Sequence, residues 1–101
     1  MQIQNYSNTN FKGLQCHPNY AEVQYNIATK YGWNYFDKTM KIIDELAKKK
    51  ANTDIYLAGD LENPDIYVDI AGKTIKENIF YGAYSVVKKA LKLANKIDKE
   101  A

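Results

Sequence analysis

The chain has 101 residues, 46% hydrophobic and 26% charged, a balance that suits one folded domain and excludes disorder over most of its length. Folding at this size buries roughly two-thirds of the surface the unfolded chain exposes, which allows one core and leaves little room for a second domain or a deep interdomain pocket. The net charge of +2 rests on 14 basic residues, all Lys, so the planar fork with which Arg reads phosphates and guanine edges is missing.

That small net charge hides a segregation along the chain. Residues 1–37 are neutral, 38–50 carry +3, 51–70 carry −5 and 71–101 carry +4. Separation of this kind bears on association and steering, not on fold. Lys, Asn, Ile and Tyr are all abundant, as an A/T-rich genome produces, so the 9 Tyr are partly a codon effect. A single cysteine, Cys16, excludes an intrachain disulfide and suits a reducing compartment. No basic region followed by an apolar one opens the sequence, and no apolar run is long enough to span a bilayer. The expectation is a soluble cytoplasmic protein with no membrane contact.

In chain order, residues 1–10 are polar and without periodicity and read as a flexible lead-in to one domain over 11–101. Phe11–Cys16 reads as a short edge strand. Pro18 and Asn19 start a first helix, with Glu22 placed to complete a capping box; Tyr20, Val23, Ile27 and Tyr31 recur at helical spacing, and Gly32 stops it. Asn34 caps a second helix from about Tyr35 to Lys49. Its apolar stripe is Tyr35, Phe36, Thr39, Met40, Ile42, Ile43, Leu46 and Ala47, opposite an arc of lysines and acids.

The segment from Thr53 to Ile70 then nearly repeats itself. Asp54-Ile55-Tyr56-Leu57 and Asp65-Ile66-Tyr67-Val68 alternate apolar and polar residues, so each predicts a strand with one aliphatic side. Ile55, Leu57, Ile66, Val68 and Ile70 turn one way; Asp54, Tyr56, Asp65, Tyr67 and Asp69 turn the other. Gly59-Asp60 and Asn63-Pro64 punctuate the connection of the hairpin. Alignment of the repeated halves would make Tyr56 and Tyr67 cross-strand neighbours and would set Asp54 against Asp69, a destabilising pair. Ala71-Gly72 predicts a second tight turn into a very short strand at Lys73–Ile75. Thr74-Ile75-Lys76-Glu77 reads as a capping box that opens the longest helix, to about Ile97. Ile75, Ile79, Ala83, Val86, Val87, Ala90, Leu93, Ala94 and Ile97 share its apolar face, with Lys88, Lys89, Lys92, Lys96, Lys99 and Tyr81 on the other.

The order predicts an α+β fold: a small antiparallel sheet, built on the central hairpin and covered on one face by two or three helices. The Asp/Tyr side of the sheet would face water.

No catalytic, metal or cofactor pattern is complete. Gly72-Lys73-Thr74 lies between strand and helix, but a phosphate-binding loop needs a Gly where Tyr67 stands. Cys16 and His17 are adjacent, which usually aims their side chains apart, and no orienting group accompanies them. Asp60, Glu62 and Asp65 lack the spacing of a calcium loop. Zinc would need further ligands beyond Cys16 and His17.

The string Asn8-Thr9-Asn10-Phe11-Lys12-Gly13-Leu14 resembles the opening of many small uncharacterised proteins from gut bacteria; the resemblance implies a bacterial origin and no activity. The functional expectation is a small non-enzymatic interaction module, an adaptor or an inhibitor of a larger bacterial protein, without catalytic residues, metal or cofactor. It would bind a protein partner through Asp54, Tyr56, Asp65, Tyr67 and Asp69, because Tyr brings a large, rigid contact area with a polar tip. The alternative is nucleic-acid binding through Lys88, Lys89, Lys92, Lys96 and Lys99 of the last helix, with Tyr81 stacking on a base. Contact between the acidic and basic surfaces of two copies would give a homo-oligomer.

Overall fold

The computed structural model describes residues 13–48, 54–60, 65–78 and 80–100. Strand β1 (Gly13–Cys16) is followed by helices α1 (Tyr20–Tyr31) and α2 (Trp33–Ala47), strands β2 (Asp54–Gly59), β3 (Ile66–Ile70) and β4 (Lys73–Lys76), and helix α3 (Ala83–Glu100). The expected lead-in over 1–10 lies outside the described residues, as do Lys49, Glu62 and Ile79.

The four strands form one sheet in the order β1-β2-β3-β4. Burial alternates along β3 as the sequence requires: Ile66, Val68 and Ile70 are buried, Tyr67 and Asp69 half-buried. These side chains and Ile55, Leu57 and Ile75 form one core with Val23 and Ile27 of α1, Ile43 and Leu46 of α2, and Val86, Val87, Ala90 and Ala94 of α3. All three helices therefore cover one face of the sheet. The fold is α+β, as expected.

Four local expectations need correction. The sheet is mixed, not purely antiparallel, because β1 pairs parallel to β2. Two helices carry the chain from one to the other, and such a crossover can return it in the same direction.

Second, β2 and β3 are shifted by two residues from the repeat alignment. Tyr56 faces Asp69, Ala58 faces Tyr67, and Gly59 faces Ile66. Aligned repeats would set Gly59 against Pro64, which has no N–H to give to a ladder. A two-residue shift keeps every side chain on its face. The opposition of Asp54 and Asp69 does not occur.

Third, Asn19 holds the N-cap position of α1, its carbonyl accepting the Glu22 and Val23 N–H groups, but its side chain makes no cap bond, and Asn34 does not cap α2. The Asn19 amide instead bridges to β2, giving Nδ2–H to the Gly59 carbonyl at 2.9 Å and accepting the Gly59 N–H at 3.2 Å. Its side chain thus continues the pairing of β1 with β2. Asn34 is an exposed residue inside α2, because Gly32 alone separates the two helices.

Last, the helix expected from Thr74 starts at Ala83. Lys73–Lys76 continue the sheet as β4, one residue longer than the predicted strand. Thr74 donates Oγ1–H to Asp69 at 2.6 Å, and Glu77 turns inward. The start of α3 is met by the Tyr35 hydroxyl, which accepts the Tyr84 N–H at 2.8 Å. Gly82 permits this approach, since a Cβ there would stand 2.5 Å from the Tyr35 oxygen.

Two turns depend on backbone handedness. Gly32 has φ +89° and ψ 170°, a region essentially restricted to glycine. No atom would crowd a Cβ at this position, so any cost there is conformational. Gly32→Ala is expected to lower stability by about 1–3 kcal/mol in urea unfolding. The β3–β4 turn holds Ala71 at φ 52° and Gly72 at φ 77°, two positive values in succession that suit Asn-Gly better than Ala-Gly. Ala71→Asn should raise stability by about 0.5–1 kcal/mol, read as a higher urea midpoint at unchanged slope.

Candidate functional site

The open face of the sheet carries four of the five residues expected to bind a partner. Asp54 is exposed, and Tyr56, Tyr67 and Asp69 are half-buried; none lies under a described helix. Gln15, Tyr56, Asp69 and Thr74 follow one another across the four strands, and Ala58, Tyr67 and Lys76 form the next row. The two tyrosines are therefore diagonal neighbours, a step that aromatic side chains can span. His17 meets the Tyr56 ring edge-on at 6.2 Å between centroids.

This face is less acidic than the hairpin sequence suggests. Lys76 stands opposite Tyr67 and pairs with Asp60 at 2.9 Å. Asp65 sits at the hairpin end and is held by Lys30 of α1 at 2.8 Å. The character of the face therefore comes from Asp54, Tyr56, Tyr67 and Asp69.

Beside it lies a cluster that sequence reading missed. Glu77 is only 3% exposed. Its Oε2 accepts from Lys30 Nζ at 3.0 Å and from the Tyr31 hydroxyl, while Oε1 accepts the Ile66 N–H at 3.1 Å. The Tyr31 ring stacks on Tyr35 at 4.1 Å. Spacing gave no hint of this arrangement, because the four residues come from α1, β3 and the segment after β4. Both carboxylate oxygens are engaged, so the cluster reads as a structural clamp.

The basic residues of α3 are all exposed, and Tyr81 is half-buried just before the helix. Lys89 Nζ stands 5.7 Å from the Tyr81 ring centroid, and Lys88 stands 5.5 Å from that of Tyr84. The ring expected to stack on a base already carries a cation of its own chain.

A further surface was also missed. At the corner of α1 and α2, Trp33 is 70% and Tyr25 73% exposed, and Phe36 meets Trp33 edge-on at 5.3 Å. With Gln24, Ala28 and Thr29 they line a depression of about 490 Å³. The lone Trp beside a helix-breaking Gly was the available signal.

Cys16 and His17 lie in different surroundings. Cys16 packs against the core, whereas His17 lies with Tyr56 and accepts the Asn19 N–H on Nδ1 at 3.0 Å. Burial pushes the Cys16 thiol above its ordinary value, the opposite of nucleophile activation. Among the described residues no group of three His, Cys, Asp or Glu is placed to hold a metal ion, and no helix is long and apolar enough to cross a membrane.

The clamp has a pH signature. Burial and the hydrogen bond to Glu77 push Tyr31 from 10.0 to about 12, and burial with Cys16 nearby does the same to Tyr20. Burial lowers the Lys30 ammonium, but its hydrogen bonds to Asp65 and Glu77 outweigh this and leave it raised. Each folded value lies above the unfolded one, so the stabilisation is complete below the ordinary value and is lost as pH rises through the folded value. Urea midpoints should therefore fall between pH 10 and 12, and Tyr31→Phe should show a shallower fall.

No family model matches the chain, and no curated protein and no solved structure matches it.

Proposed function

We propose that this chain is a small protein-interaction module, an adaptor or inhibitor, that meets its partner through the open face of the sheet. The observation that carries this reading is the placement of Tyr56 and Tyr67 as diagonal neighbours, beside Asp54 and Asp69, on the face the described helices leave uncovered. Two half-buried phenols are held at their bases by the sheet and lose little side-chain freedom on binding. The two carboxylates supply a sign, which selects a partner with basic groups at the rim of the contact.

Nucleic-acid binding through α3 has less support. The chain lacks Arg, and the faces of Tyr81 and Tyr84 are approached by Lys89 and Lys88. The exposed Trp33 and Tyr25 favour a second protein-binding surface at the α1–α2 corner, since Trp and Tyr are the residues that most often anchor interfaces.

Affinity capture from the source organism's lysate tests the assignment. The native chain should retain a partner that Tyr56→Ala/Tyr67→Ala loses, with helical circular dichroism and the thermal midpoint of the variant unchanged. Equal capture by the double variant would remove the sheet face. Loss with Trp33→Ala alone would move the contact to the corner.

A further inference from the structure

The opposite flank of the molecule has a different chemistry. β4 is the last strand of the sheet, and among the described residues no strand pairs with its outer side. The turn at Ala71-Gly72 makes Ile70 and Lys73 a hydrogen-bonded pair, with Val68 and Ile75 as the next one. Thr74 and Lys76 therefore direct their N–H and C=O groups away from β3, toward solvent. Among the described residues this ladder edge is unoccupied.

Alongside that edge, α3 and β4 enclose a groove of about 930 Å³. Ile75 and Leu93 supply its apolar floor, and lysines from both elements form its walls: Lys73 from β4, and Lys89, Lys92, Lys96 and Lys99 from α3. Among the described residues neither a carboxylate nor an aromatic ring lines it.

We propose that this groove binds an extended acidic peptide, which adds to the outer side of β4 as a further strand. Main-chain hydrogen bonds to Thr74 and Lys76 would set the peptide's register, as in other cases of strand addition. Successive side chains of a strand point to opposite faces, so alternate peptide residues turn toward α3. Carboxylates there meet the lysines, and their methylene stems lie over Ile75 and Leu93. The same lysines repel basic strands and disfavour apolar ones, which would desolvate them, and so guard the edge against indiscriminate pairing. A nucleic-acid strand fits less well, because the groove offers no ring for a base to stack on. This flank lies at the far side of the sheet from β1.

The test uses the full chain and a short synthetic peptide of alternating Glu and Val. Its controls are the same residues arranged as a Glu block followed by a Val block, and an oligothymidylate. Amide chemical shifts and fluorescence anisotropy are the readouts. The alternating peptide should perturb the Lys73–Lys76 amides and slow the exchange of the Thr74 and Lys76 N–H groups. Lys92→Glu/Lys96→Glu should weaken it by about tenfold or more, since like charges then face each other. Thr74→Pro should weaken it too, by deleting an outward N–H that the sheet itself does not use; should that variant misfold, the charge reversal decides. Equal affinity for the block peptide would overturn strand addition. Unaltered affinity of the charge-reversed variant would overturn the groove. Tighter binding of oligothymidylate, with shifts at Tyr81, would assign the surface to nucleic acid instead.

Discussion

The buried carboxylate of Glu77 is the constraint on which the arrangement of elements depends. A carboxylate withdrawn from water is costly unless both of its oxygens find donors. Here the Lys30 ammonium, the Tyr31 hydroxyl and the Ile66 N–H serve them. These donors come from the last turn of α1 and from the start of β3, while Glu77 follows β4. The carboxylate therefore fixes the end of α1 against the β3–β4 hairpin. Gly32 follows Tyr31 and redirects the chain into α2 within a single residue. Tyr35 in the first turns of α2 stacks on Tyr31, and its hydroxyl accepts the Tyr84 N–H at the start of α3. A continuous path of polar and ring contacts thus runs from Glu77 through both neighbouring helices.

The second consequence is a strong difference between surfaces. With the described helices on one side of the sheet, the aliphatic face is consumed by the core and no described helix covers the polar face. Among the described residues, local ion pairs then distinguish the acids. Asp65 and Asp60 are held by Lys30 and Lys76 at the hairpin end, leaving Asp54 and Asp69 with the two phenols. The lysines of α3 gather on the opposite flank beside β4. The segregation of charge along the chain thus becomes a segregation in space.

The sequence was most legible where one periodicity ran uninterrupted. Two-residue alternation placed Ile55, Leu57, Ile66, Val68 and Ile70 inward, and helical spacing placed Val23, Ile27, Ile43, Leu46, Val86, Val87, Ala90 and Ala94 against them. It was least legible where side chains could serve two purposes. Thr74 and Glu77 have the spacing of a helix cap, yet the chain stays extended there: Thr74 bonds Asp69, and Glu77 bonds two helix residues and a strand N–H. Asn19 has the chemistry of a cap, but a longer-range partner, the Gly59 peptide, takes its amide. Local motifs state what a side chain can bond, and the fold supplies competitors from far along the chain.

By itself, the order of residues determined the class of fold, the inward set of aliphatic side chains and the polar identity of the open face. Those follow from periodicity, which needs no knowledge of neighbours. Tertiary structure alone decided the parallel entry of β1, the two-residue offset that sets Tyr56 against Asp69, the burial of Glu77, and the gathering of lysines beside an open strand edge. Each of these depends on groups distant in sequence meeting in space, where main-chain pairing and desolvation choose among arrangements that local pattern leaves equivalent.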